Sequence, residues 1–273
     1  MSASGREPAL GRRLSVVPDA CAMSAERLTS LSVVLPCHDE EENVATAIRE
    51  AATAAAATAA AFEIVVVDDG STDATRAIAA AASSRDPRVR VVGHDDNRGY
   101  GAALRTGIAA ARGDWILLTD ADLQFDLSEL ARFVEPARRH DLVVGYRLAR
   151  MDPLTRRVNA YAWNRLVGRV FDLDVRDVDC AFKLVRADLA QRLRLTADGA
   201  MISTELVARA RLAGASIAEF GVHHRPRVAG RQSGADPAVV LGAFRELRRI
   251  HGELDARPGS APSTTEPPHP AAA

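Results

Sequence analysis

Between residues 31 and 146, five short runs of valine, isoleucine and leucine alternate with helix-forming sequence, and this alternation restricts the fold more than any other feature. The runs are LSVVLP (31–36), FEIVVVDD (62–69), VRVVGH (89–94), WILLTD (115–120) and DLVVGY (141–146). They are apolar at consecutive positions, the pattern of strands covered on both faces. Segments 42–60, 73–84, 101–112 and 127–135 read as helices. That order predicts an α/β architecture: a mostly parallel, Rossmann-like central sheet flanked by helices. In such sheets ligands bind beyond the carboxyl ends of the strands. Polar residues gather there in four places: Pro36 to Glu40, Asp68 with Asp69, His94 to Arg98, and Asp120 to Gln124.

Composition narrows the function. The chain has 273 residues, 47% apolar and 26% charged, with a net charge of -1, so its surface as a whole does not suit a nucleic acid. Residues 1–27 and 256–273 are rich in Gly, Pro and Ser without periodicity and are expected to be disordered tails around one domain, 28–255. Lys183 is the single lysine, and with the alanine excess the arginine bias reads as coding bias. Cys21, Cys37 and Cys180 have neither disulfide nor zinc spacing, which suits a reducing cytosol. No run reaches the roughly 20 apolar residues of a membrane span, and AATAAAATAAA (51–61) reads as an alanine-rich helix. A cytoplasmic protein is expected.

LLTDADLQFD (117–126) sets two aspartates one residue apart after a buried run. If the chain stays extended, Asp120 and Asp122 share a face. At about 4 Å two carboxylates repel by roughly 4 kcal/mol at an effective dielectric near 20. A divalent cation bound by both, with the Gln124 amide, would offset this; a helix cap and a solvated acid would explain the pair equally. Asp39 with Glu42 and Asp126 with Glu129 have capping-box spacing, and Ser71 or Thr72 suits the start of the next helix. NRGYGAALRTG supplies glycines where backbone must bend or approach a ligand, Gly99 among them. It departs from a dinucleotide fingerprint, since Leu104 replaces the third glycine and a polar stretch precedes it.

LPCHDEEENV, VVVDDGSTDAT, NRGYGAALRTGIAAARGDW, TDADLQ and DVDCAFKLVR, in this order, resemble the family 2 glycosyltransferases of GT-A fold, and most closely the polyprenyl (dolichyl) phosphate hexosyltransferases. The resemblance covers about residues 30–250. It implies a GT-A nucleotide-diphospho-sugar transferase fold, with Asp120, Asp122 and Gln124 holding Mg²⁺ or Mn²⁺ on a nucleotide-sugar diphosphate. It also places Pro36, His38 and Glu40 along the nucleotide pocket, Asp68 and Asp69 where the base is read, and Gly99 and Asp120 beside the donor. His38 and Asp39 depart from the usual tyrosine and asparagine.

The resemblance further places Asp179 where inverting relatives often keep an active-site acid, next to Asp122 as a catalytic candidate. In HHRPRVAGRQSG (223–234) it implies a loop closing over the diphosphate, with Arg227 and Arg231 on its oxygens; a solvated basic loop is the plain alternative. Lys183 and Arg186 suit either phosphates or solvent. Glu205 suits the first turn of a helix capped by Ser203 and closed by Gly214. Residues 153–171 have helical apolar spacing and a basic face with Arg156, Arg157, Arg165 and Arg169, fitting a core helix or an element at a membrane surface. The implied reaction is inverting transfer of mannose or glucose from GDP-mannose or UDP-glucose to polyprenyl phosphate, with peripheral membrane contact or a membrane-embedded partner. A sugar-hydroxyl acceptor or a non-catalytic sugar-nucleotide binder is the alternative. The glycine- and arginine-rich first loop of a sugar-1-phosphate nucleotidyltransferase is missing.

Overall fold

The structure, a computed structural model, describes residues 15–16, 27–148, 154–226 and 237–255. The rest of both expected tails lies outside these residues. Strands β1 (Ser15–Val16), β2 (Leu28–Cys37), β3 (Ala59–Asp69), β4 (Val89–His94), β5 (Trp115–Leu118), β6 (Leu142–Arg147), β7 (Lys183–Arg186) and β8 (Ile217–Val222) form one sheet. Its order is β1-β8-β6-β7-β5-β2-β3-β4. Strand β7 runs antiparallel to both neighbours, and the other pairs are parallel. Helices α1 (Val44–Thr58), α2 (Thr75–Arg85), α3 (Tyr100–Ala110), α4 (Leu130–Ala137), α5 (Leu154–Phe171), α6 (Ala187–Arg192), α7 (Ile202–Leu212) and α8 (Pro237–Asp255) complete the described elements, with a 3₁₀ turn at Leu127–Glu129.

The consecutive apolar residues of β2 and β3 are buried because the sheet is covered on two sides. Val33, Leu35, Ile64 and Val66 belong to one core cluster, with residues of α1 and α4. Val34, Val65 and Val67 belong to the other, with residues of α3, α6 and α7. Helix α3 lies so close that a Cβ on Gly107 would stand 2.3 Å from Val34 Cγ1. The alanines expected to extend α1 to residue 60 instead open β3, where Ala59 pairs with Leu28 and Ala61 with Ser30. A ladder alongside a ten-residue strand outweighs alanine's helix preference of a few tenths of a kcal/mol per residue.

Several expected caps resolve differently. Asp126 does cap, accepting from Ser128 N–H at 3.1 Å. Asp39 does not: it has φ 53° and its carboxylate accepts from Thr72 N–H at 2.8 Å, joining two loops. Neither Ser71 nor Thr72 caps α2, whose first amide donates to Asp73 at 2.9 Å. Ser203 lies inside α7, while Gly214, at φ 77°, follows its end as expected.

One buried acid on β8 sets a pH dependence. Burial pushes the Glu219 carboxyl up to about 7, although it accepts from Arg176 N–H at 2.7 Å. An acid whose folded-state proton affinity is raised loses stability as pH climbs from the unfolded value, 4.5, through about 7. Glu219→Gln is expected to be more stable than the wild type by about 3 kcal/mol at pH 8 and nearly equal to it at pH 4, as read from urea unfolding at both pH values.

Candidate active site

The order β5-β2-β3-β4 places a topological switch at β2: the chain moves outward to β4, then returns to β5 on the other side. A crevice therefore opens at the carboxyl ends of β2 and β5, the usual ligand position in such sheets. Pro36 is buried on β2, in register with Val67, and His38 stands half-exposed just past the strand. Glu40 is buried, its N–H donating to Thr75 Oγ1 at 2.8 Å and its carboxylate accepting from Asn43 Nδ2 at 2.6 Å. The loops after β2 and β3 are braced reciprocally: Glu41 N–H donates to Asp73 at 3.1 Å, and Glu41's carboxylate accepts from Ala74 N–H at 2.9 Å.

Asp68 and Asp69 are at the rim, buried, and both already hold the chain. Asp68 accepts from Arg76 Nε at 2.5 Å. Asp69 faces His94 Nδ1 at 2.6 Å and accepts from the amides of Arg98 at 2.9 Å and Gly99 at 2.8 Å. Of about four acceptor sites on a carboxylate, Asp69 thus commits three internally. Gly99 has a packing role: at φ 97°, a Cβ there would stand 2.5 Å from the Asp198 carbonyl oxygen. Gly101 N–H donates to the same carbonyl at 2.7 Å.

The aspartate pair is presented differently from the extended segment expected. Strand β5 stops at Leu118, and Leu123 turns left-handed at φ 60°, so a loop positions Asp120 and Asp122. Asp122 is buried and accepts from Gln124 N–H at 3.1 Å. Gln124 itself grips the strand-exit arm: its side-chain amide donates to Arg225 O at 3.1 Å and its carbonyl accepts from Arg225 N–H at 2.7 Å. Phe125 bridges to His224, and buried Glu129 accepts from His223 N–H at 2.8 Å. The acidic loop and the arm after β8 are therefore one body. Arg227 and Arg231, expected on the diphosphate, lie outside the described residues.

Three residues not assigned a site role from sequence, Tyr100, Arg147 and Asp177, lie near the pair with Lys183, which was expected to face phosphate or solvent and is buried instead. Tyr100 donates its hydroxyl to Asp120 Oδ1 at 2.8 Å. Burial raises the proton affinity of Asp120, opposed by the Tyr100 hydrogen bond and by the charges of Lys183 and Arg147. Burial and Asp120 likewise hold the Tyr100 phenol well above its ordinary range. Lys183 is 1% exposed and donates to the Cys180 carbonyl. Burial lowers its proton affinity, against the fields of Cys180, Asp179, Asp177 and Asp120. Arg147 is clamped by Asp177 at 2.7 and 2.8 Å. Asp179 is exposed on the turn between Asp177 and Lys183. Arg186, expected to face phosphate or solvent, lies at the far end of β7 and pairs with Asp188 at 3.0 Å.

Among the described residues no three His, Cys, Asp or Glu side chains gather as a self-sufficient metal site. Two hard carboxylate donors do stand at the crevice, and the buried Thr119 hydroxyl beside them has no hydrogen-bond partner. This donor set fits Mg²⁺ or Mn²⁺ if other oxygens complete the shell. A groove of about 710 Å³ lies at the opposite pole, between Trp115, Arg139 and Asp188. Its arginines are balanced locally, Arg186 by Asp188 and Arg139 by Glu135.

Residues 32–194 match the model of glycosyl transferase family 2. The chain belongs to that family. It is therefore a glycosyltransferase. It is 33% identical to dodecaprenyl-phosphate galacturonate synthase of Rhizobium johnstonii over 84% of this chain and 69% of that protein. It is 32% identical to glycosyltransferase AglD of Haloferax volcanii over 84% of this chain, but spans only 38% of that relative. A crystal structure of glucosyl-3-phosphoglycerate synthase from Mycobacterium tuberculosis superposes with a TM-score of 0.67 at 21% identity, covering 88% of this chain and 87% of that one. A structure of the same enzyme with Mn²⁺, UDP-glucose and phosphoglyceric acid gives 0.65 at 20% identity, over 82% and 80%. The fold of this glycosyltransferase is GT-A.

The Arg147–Asp177 pair is bidentate, with Asp177 buried and Arg147 partly so, and removing the arginine strands a buried carboxylate. Arg147→Met is expected to lower unfolding stability by about 3 kcal/mol, and the double variant Arg147→Met with Asp177→Leu to recover most of it, measured by denaturant titration.

Proposed function

We propose that this glycosyltransferase moves a hexose or hexose-derived sugar from a nucleoside diphosphate to a polyprenyl phosphate, with inversion and with a divalent cation. The observation that carries this reading is the 33% identity to a dodecaprenyl-phosphate sugar synthase across 84% of the chain. Mannose and glucose are the simplest donor sugars for the site, and galacturonate, named in that relative, joins them.

Asp120 and Asp122 would hold the cation on the donor diphosphate. When bound, such an ion neutralises the charge that builds on the departing diphosphate. The chain's own groups prepare for this. Tyr100 fixes one oxygen of Asp120 by its hydrogen bond, Gln124 N–H fixes one of Asp122, and the Gln124 side chain holds the arm after β8. Pro36, His38, Glu40, Asp68 and Asp69 line the nucleotide side, with Asp69 keeping one acceptor site uncommitted for a base. Arg227 and Arg231 would reach the diphosphate from beyond Pro226.

A phosphomonoester has a second pKa near 6, so at neutral pH the acceptor is already an anionic nucleophile and needs little base catalysis. Exposed Asp179 then orients the acceptor or its counter-ions without being essential as a base. Among the described residues no helix is long and apolar enough to cross a membrane. Helices α5 and α8 expose Arg165, Leu166, Arg169, Phe244, Arg245 and Arg248, and Trp163 meets Phe244 edge-on at 5.4 Å. Such a face suits an anionic bilayer carrying the acceptor.

Incubation with UDP-glucose, GDP-mannose or UDP-galacturonate, Mn²⁺ or Mg²⁺, and polyprenyl phosphate should yield a lipid-linked sugar. Asp122→Asn is expected to lower turnover at least about 100-fold and Asp179→Asn about tenfold or less. Equal, near-complete loss in both folded variants would favour a hydroxyl acceptor with Asp179 as base. Arg165→Glu with Arg245→Glu should reduce co-sedimentation with vesicles containing phosphatidylglycerol at least about fivefold; unchanged sedimentation removes α5 and α8 as the contact face.

A further inference from the structure

Helix α3 begins at Tyr100 with no side-chain cap of its own. Its cap is the backbone of a distant loop: Gly101 N–H, one of the donors that a first turn leaves without a helical partner, bonds the Asp198 carbonyl at 2.7 Å. The fit is tight on both sides of Tyr100. A Cβ on Gly99 would stand 2.5 Å from that carbonyl oxygen, and one on Gly101 2.4 Å from the Ala197 carbonyl oxygen. Arg105, further along α3, donates to the Ala197 carbonyl and to the Asp198 carboxylate. From its other side the loop is held by α8. Half-buried Glu246 accepts from Asp198 N–H at 2.9 Å and from Gly199 N–H at 3.2 Å, while buried Leu247 and Ile250 seat the helix in the core.

We propose that Glu246 is a positioning residue for the transfer: by pinning the loop at Asp198 and Gly199 it sets Tyr100, and through Tyr100 the carboxylate of Asp120. This rests on the reading of Asp120 as a donor-side acid above. The Tyr100 hydroxyl donates to Asp120 Oδ1 at 2.8 Å. The Tyr100 backbone lies between the two glycines that the loop carbonyls approach, so a displaced loop carries the phenol with it. Bonds from two amides to a carboxylate are charge-assisted and stronger than those of an ordinary turn. Glu205 holds the preceding amides separately, Thr196 at 2.9 Å and Ala197 at 2.8 Å. Removing Glu246 therefore frees the part of the loop that meets α3 and leaves its base in place. Helix α8 also exposes Phe244, Arg245 and Arg248. The helix assigned to the bilayer and the acid assigned to the cation are thus joined by one short chain of hydrogen bonds.

The test is fluorine NMR of the full chain labelled with 3-fluorotyrosine. The chain has three tyrosines, and the resonance of Tyr100 is the one that Tyr100→Phe removes. Glu246→Ala is expected to shift or broaden the Tyr100 resonance and to leave the others in place. Glu246→Gln, whose amide oxygen still accepts, should keep the wild-type spectrum. In sugar transfer to polyprenyl phosphate, Glu246→Ala should lower kcat about tenfold and Glu246→Gln less than about threefold. In a Tyr100→Phe background Glu246→Ala should cost less than about twofold more, since the two residues act in series. Glu246→Asp, one methylene shorter, takes the place of Glu246→Ala if thermal unfolding shows that variant unfolded. A Tyr100 resonance unmoved in the folded variant overturns the proposal, and so does a penalty that persists undiminished without the Tyr100 hydroxyl. Failure of both variants to fold also overturns it, because the glutamate is then structural. If the wild type transfers no sugar from any donor, the reading of Asp120 falls, and the fluorine spectra alone decide whether α8 sets Tyr100.

Discussion

Strand β2 organises the molecule. It pairs with β3 from Leu28 to Cys37 and with β5 from Leu31 to Val34, and its core residues are fully covered on both faces. The ladder to β5 stops early because β5 has four residues. Beyond Val34 the β5 side of β2 has no strand partner, and the chain carrying the aspartate pair turns away there. The crevice is thus a consequence of unequal strand length at the one place where the strand order reverses.

The rim around this crevice is crowded with acids, yet most of them stabilise the protein's own loops. Asp68 is balanced by Arg76, Asp69 by two amides and His94, Asp73 by the Thr75 and Glu41 amides, and Glu129 by His223. At Asp73 the amide and hydroxyl donors outweigh burial and hold the carboxyl below its ordinary range, because those dipoles favour its charged form. Asp120 lacks such amides. It has one phenol donor, and burial works against its charge. That contrast singles out Asp120, and not the more numerous acids beside it, as a group whose charge awaits an outside partner.

The sequence made the first five core strands and four helices readable because both faces of the sheet are dry and the β-branched runs are uninterrupted. It did not reveal β7 or β8 in the same way. Strand β7 is four residues long and opens on a lysine, while β8 includes Glu219 and Gly221. The acidic pair was legible as a pair, but its geometry was not, since a period-of-two argument fails once the strand ends at Leu118. Tyr100, Arg147 and Asp177 were missed for a common reason. They come from three separate stretches, and only the strand order brings them to one place beside Lys183, whose burial the sequence did not show.

The reversed strand explains why that place is so highly charged. In a purely parallel sheet the carboxyl ends alone face the crevice, and each contributes one loop. Because β7 runs antiparallel between β5 and β6, its amino-terminal end lies beside their carboxyl ends. The turn from Asp177 to Phe182 is therefore delivered to the rim, with Asp179 outermost and Lys183 at its base, while Arg186 is carried to the opposite pole. Arg147, at the end of β6, meets Asp177 across the same junction. One inverted strand thus places a second acidic turn and a buried cation near the first acidic pair, and leaves the parallel scaffold of β5, β2, β3 and β4 unchanged.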